Sequence, residues 1–307
     1  MVKHALFAVF SVLVLFLLGM FAYREQNPEW KIYQAEYYKK LAQVVNDPKV
    51  AGTPLKVKQV WNQSLDRADR CTTCHGGIDN PAFENEPQPY KTHPHFANEG
   101  YISKHSFEKF GCTICHEGDG QAVTVKKTHG VVKHLDRQLL TSPYIQTACT
   151  KCHYELYSPE VYWPEVKTLM AGKQLAQDLG CVACHAISQL GSNASLAPDL
   201  SSMGSKTELA FYLVHDFSRI ESEDHLTRVW EFEHFKDPQK IVPGTMDAPN
   251  PKDRTPPTIM PNWGLTDEEA TALTVFTLSL RDPKVERIPR EYLPKVDGHG
   301  EFLQYRQ

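Results

Sequence analysis

Hydrophobic and polar positions follow several different rhythms along this chain. Residues 5–22 contain no charged side chain, a run of eighteen that lies at the short end of what crosses a bilayer core as a helix. Tyr23 follows as an interfacial anchor. A cleaved export signal has a shorter apolar region of ~7–15 residues and a small-residue cleavage site. Met20-Phe21-Ala22 is a poor site of that kind, so an uncleaved anchor over 5–23 is expected, with 1–4 before it. Within 24–60, the residues Trp30, Tyr33, Tyr37, Leu41 and Val44 recur at spacings of three and four, and Pro28 suits a first turn. This predicts a helix over 28–46, either a stalk packed on its own domain or a face for a partner. Residues 47–160 show little periodicity and many turn signals, among them Asn80-Pro81, Gln88-Pro89 and Gly118-Asp119-Gly120. Helical spacing returns over 164–179 and runs into Gly180. Thr266-Asp267-Glu268-Glu269 then reads as a capping box that opens a helix through about Leu280. Residues 283–307, with Pro289, Pro294 and Gly298, read as an extended tail.

The irregular middle is punctuated by one pentapeptide, repeated. Cys71-Thr-Thr-Cys74-His75, Cys112-Thr-Ile-Cys115-His116, Cys149-Thr-Lys-Cys152-His153 and Cys181-Val-Ala-Cys184-His185 account for all eight cysteines. C-x-x-C-H is the attachment signature of c-type haem. Two thiols form thioethers with the vinyl groups of one haem, and the next residue, histidine, reaches the iron. Zinc or thiol-redox pairs also use C-x-x-C, but they give no reason for a histidine after every copy. The expected cofactors are four covalently attached haems, whose porphyrin surface supplies core that 61–160 lacks on its own. No sequence repeat extends beyond the motif.

Composition changes this picture little. The 307 residues suggest about two domains. A net charge of −4 with 23% charged side chains gives no bulk argument for nucleic acid. Haem attachment of this type takes place outside the cytoplasmic membrane. The expectation is therefore a single-pass protein of the cytoplasmic (inner) membrane, N-terminus inside and haem domains periplasmic.

Axial ligands come next. Of fourteen histidines, His75, His116, His153 and His185 are proximal, and five others (His93, His95, His105, His129 and His134) crowd the region of the first three motifs. That density favours bis-histidine ligation there. The order helix, C-x-x-C-H, long loop, Met260-Pro261, capped terminal helix over about 160–282 closely resembles the class I monohaem cytochrome c domain, with an enlarged middle over roughly 218–256. The resemblance implies Met260 as sixth ligand of the fourth haem, with Met246 the rival. Residues 28–160 resemble membrane-bound multihaem cytochromes that accompany Rieske/cytochrome b or related quinol-oxidising complexes. The likeness rests on Thr92-His93-Pro94, the run from His105 to His116, Thr128-His129-Gly130 and Gln88-Pro89. It implies His93, His105 and His129 as distal ligands, with His95 and His134 as substitutes.

The fold expected is mainly α with much irregular structure. It comprises an N-terminal transmembrane helix, a haem-wrapped trihaem domain over 61–160 and a C-terminal class I cytochrome c helical domain over 161–282. The expected role is electron transfer without a catalytic site of its own, from a quinol-oxidising membrane complex to a soluble periplasmic acceptor. A stand-alone quinol dehydrogenase of the NapC/NrfH type, and a multihaem reductase of a small oxyanion or peroxide, are the alternatives. A methionine ligand raises the potential relative to bis-histidine, so three lower-potential haems and one higher are expected.

Overall fold

A computed structural model describes residues 2–94, 96, 101–132 and 135–294, with the side chains of 101 and 103 set aside. His95, His134, His299 and the end of the tail lie outside the described residues. The fold is mainly helical, and its contacts divide it into two compact units, 1–113 with 119–130 and 114–118 with 131–307.

The first unit opens with α1 (Val2–Gln26), which buries none of its residues against the protein. It is the one helix among the described residues long and apolar enough to cross a membrane. After a short break comes α2 (Trp30–Val44). Its sequence stripe is realised with a small rotation: Trp30, Gln34, Tyr37, Tyr38 and Ala42 are buried, whereas Val44 is exposed. Tyr37 and Tyr38 pack with Phe83 and Tyr90, and a Cβ at Gly76 would strike the Tyr37 ring at 2.6 Å. The aromatic stripe thus lies against the first pentapeptide of its own unit, as a packing stalk would. Two strands not anticipated from the sequence, β1 (Val60–Asn62) and β2 (Arg67–Asp69), form an antiparallel hairpin that leads into Cys71.

The second unit is built on α3 (Lys167–Asp178), α4 (Thr227–Lys236) and α5 (Asp267–Ser279). The capping box is present: the Glu269 amide donates to Thr266 Oγ1, and the Thr266 amide donates to Glu269 Oε2. Gly180 ends the approach to the fourth motif in the left-handed region at φ 73°, where glycine alone is unstrained. Leu273, Phe276 and Leu280 are wholly buried with Ala176 and Ile187. Each large side chain so buried contributes about 1.5–3 kcal/mol. Ile220, Trp230 and Ile241 of the enlarged middle form a second cluster with Met203, Phe211 and Phe217, which precede it.

The division differs from the expected boundary near 160, because the third pentapeptide belongs to the second unit. Thr150 Oγ1 donates to the carbonyl of Ser279 at 2.6 Å, and the Tyr157 hydroxyl donates to the same oxygen. Buried Lys173 of α3 donates to the carbonyls of Leu156, Ser158 and Val161. These bonds tie the stretch after Cys149 to the two long helices.

Candidate functional site

Each pentapeptide is a single turn. In the first, third and fourth, the histidine amide donates to the carbonyl of the leading cysteine at 2.9, 2.9 and 3.0 Å. Thr113–His116 is likewise one α-turn. Positions i, i+3 and i+4 share a face, so both thiols and the imidazole of each motif emerge on one side. None of the eight cysteines is in a disulfide. Burial pushes Cys74 up to about 11 and Cys149 and Cys152 up to about 12, with Cys181 raised for the same reason. Cys71 moves the other way, held down by a hydrogen bond with the Cys112 thiol. A thiol that stays protonated at neutral pH is a poor nucleophile, which sets the buried pair Cys149 and Cys152 against thiol-redox chemistry. Among the described residues, no three or more His, Cys, Asp or Glu side chains gather as a metal-ion site.

The imidazoles are oriented by their outer nitrogens. His116 Nδ1 lies 3.3 Å from the carbonyl of Leu140, and His185 Nδ1 lies 2.7 Å from the carbonyl of Pro198. His153 Nδ1 lies 2.7 Å from the Glu155 carboxylate. Carbonyls and carboxylates only accept, so in all three rings Nδ1 carries the proton and Nε2 keeps the lone pair. That is the tautomer that can bind a metal through Nε2, fixed by the outer bond. For His75, the ring lies 5.9 Å from that of His129, at 86° to it. Two imidazoles sharing one metal, each bond about 2 Å long, have ring centres roughly 6 Å apart. His75 and His129 stand at that separation.

The other expected ligands fall as follows. His93 Nδ1 donates to the carbonyl of Pro94 at 2.5 Å and its ring packs against Phe107, while the His105 ring lies 4.9 Å from Phe110. Both belong to the first unit, with His75, His129 and Cys112. Met260 packs in the core cluster that includes Cys181 and Trp263, and its amide and carbonyl are bound by Thr258 and Gln239. Met246 is 60% exposed. His215 stacks on Phe211 at 3.7 Å and donates to its carbonyl, which makes it a core histidine. His234 stacks on Trp230, its Nδ1 is enclosed with no partner, and burial pushes its pKa down to about 4.

Buried charges hold the motifs in place, and the sequence reading missed them. In the first unit, Asp69 Oδ2 accepts from the amides of Cys112 and Thr113 at 2.6 and 3.0 Å. In the second, Lys151, inside the third motif, donates to the carbonyl of Ile114 at 2.8 Å and pairs with Glu117. Glu286 closes this set by pairing with Arg137 and Arg281, each at 3.1 Å. Comparisons with family models, with curated proteins and with solved structures find no match to this chain.

Proposed function

We propose that this chain is a membrane-anchored tetrahaem c-type cytochrome. It would carry electrons from a quinol-oxidising membrane complex, of Rieske/cytochrome b or related type, to a soluble periplasmic acceptor. The observation that carries the reading is the orientation of the imidazoles: one turn aligns two thiols with a histidine, and an acceptor on Nδ1 turns Nε2 outward as the donor. A histidine directly after every C-x-x-C is the attachment signature of c-type haem, and a zinc site gives no reason for it. Cys71 and Cys74, Cys112 and Cys115, Cys149 and Cys152, and Cys181 and Cys184 would hold the four groups, with His75, His116, His153 and His185 proximal. His129, whose ring lies 5.9 Å from that of His75, and Met260, which packs on the same core cluster as Cys181, are the sixth ligands the reading favours.

Each haem, when bound, supplies a one-electron iron couple whose potential follows its ligands and burial. The protein contributes attachment, tautomer and burial, and performs no bond chemistry of its own. α1 would insert in the inner membrane with the N-terminus inside, leaving both units on the periplasmic side.

Mass spectrometry of the denatured chain tests the reading. Four haem masses should add to the intact polypeptide, and no thiol should remain open to alkylation. A bare polypeptide mass, or stoichiometric zinc in its place, would overturn it. Isolation from native membranes should bring down a quinol-oxidising complex that reduces the chain.

A further inference from the structure

The third pentapeptide differs from the second and fourth in what its histidine leans on. His116 and His185 donate Nδ1–H to backbone carbonyls, whereas His153 donates to a full negative charge on Glu155 at 2.7 Å. Charge-assisted bonds are roughly twice as strong as neutral ones. A carboxylate behind a ligating imidazole raises its basicity, and a more basic ligand favours ferric iron over ferrous. The two side chains are only 18% and 25% exposed, so water screens this effect incompletely. The fourth motif has the opposite setting: a neutral carbonyl behind His185, and the thioether of Met260 in its core cluster. Tyr154, the residue after His153, packs in that same cluster with Cys181 and Met260. The residue after the third motif and the first cysteine of the fourth therefore pack on one hydrophobic core within the second unit.

Resting on the tetrahaem reading, we propose that Glu155 is a positioning residue that holds the third haem at a lower potential than the fourth. The passage from third to fourth is then downhill. With haem bound at both sites, one electron would pass from the third, which is oxidised, to the fourth, which is reduced. No bond is made or broken and no proton is taken up, so the difference in potential is the whole driving force. The donor is the quinol-oxidising complex and the final acceptor a soluble redox protein, as proposed above.

The test is a redox titration of the full chain in detergent, followed by EPR so that each low-spin haem is read separately. Glu155→Gln keeps an oxygen that can accept from Nδ1 and removes the charge. The third haem should become easier to reduce by about tenfold, which for one electron is 59 mV, with the other three moving less than about threefold. Lys151→Met, which removes a buried cation from the same motif, should shift the third haem in the opposite sense. A general loosening of the site would move both variants the same way. Should Lys151→Met fail to assemble, Glu155→Asp takes its place: it keeps the charge and should return the third haem toward the wild-type value. The proposal is overturned if Glu155→Gln shifts the third haem less than about threefold, or lowers it. A chain without covalent haem sinks the tetrahaem reading itself. A chain with four haems and an unresponsive third one sinks only the role of Glu155.

Discussion

The crossing of α3 over α5 leaves no room for a side chain at Gly172. A Cβ there would sit 1.9 Å from the carbonyl oxygen of Ala272 and 2.8 Å from the Cβ of Phe276. Real Cβ atoms essentially never come within 3.0 Å of another heavy atom, so Gly172→Ala must drive the helices apart by about 1 Å or more. The obstacle is backbone, and no rotamer change can relieve it. Overpacking of this kind costs about 1–3 kcal/mol, and a gap of 0.5–1 Å forfeits about a quarter to a half of each dispersion contact along the seam. The seam includes Leu169, Leu273 and Phe276, none more than 2% exposed. The better helix propensity of alanine returns about 1 kcal/mol. A net loss of about 2 kcal/mol is expected, which lowers the thermal midpoint by roughly 4–8 °C in a protein of this size. Far-UV circular dichroism of the detergent-solubilised chain measures it. Gly52→Ala is the comparison, since nothing lies within 4 Å of a Cβ there, and it should be neutral or stabilising by about 0.4–1 kcal/mol. If the two variants melt together, the close approach of α3 and α5 is not present in the protein.

Two further predictions concern the second unit. Buried Glu231 on α4 is pushed up to about 8 by desolvation, partly opposed by the Thr277 hydroxyl that donates to it at 2.7 Å. Between the ordinary carboxyl value of about 4.3 and the folded value, the native state holds a proton that the unfolded chain releases. Stability should therefore fall as pH rises through that window, by an amount on the order of a few kcal/mol. Glu231→Gln should flatten the decline in denaturant midpoints between pH 5 and 8, and parallel profiles for the two proteins would refute the assignment. Met260→Ala should leave the fourth haem covalently attached yet abolish the thioether–iron charge-transfer band and lower that haem's potential, while Met246→Ala should change neither. Loss of the band in the Met246 variant alone would reverse the ligand assignment.

What the sequence disclosed was local. The pentapeptides are single turns, the capping box joins Thr266 to Glu269, and the apolar run of α1 is continuous, so each is legible within a few residues. α2 was legible as a helix, while its packing partner, the first pentapeptide with Phe83 and Tyr90, lies some forty residues on. The bonds that join the third pentapeptide to the second unit, from Thr150 and Tyr157 to Ser279, span more than 120 residues and leave no local sign. α4 was hidden within a stretch that reads as charge-rich, since one of its acidic residues, Glu231, faces the core. The acceptors behind His116 and His185 are backbone carbonyls, which leave no mark on residue identity. Glu155 was visible but unremarkable, two residues past a motif, and only the folded chain shows it 2.7 Å from His153 Nδ1.

A haem attachment site confined to one turn needs no domain of its own. The turn closes on its own carbonyl, so it can be set into a hairpin-led segment, an irregular loop or the end of a long helix without copying their surroundings. It also separates two inheritances. On the tetrahaem reading the five residues would secure the cofactor, while the acceptor behind each imidazole comes from elsewhere in the chain: two, thirteen or twenty-four residues away in the three motifs where it is seen. Substitutions at those outlying positions could retune one site while attachment stays intact, so the properties of the four centres are free to drift apart under selection.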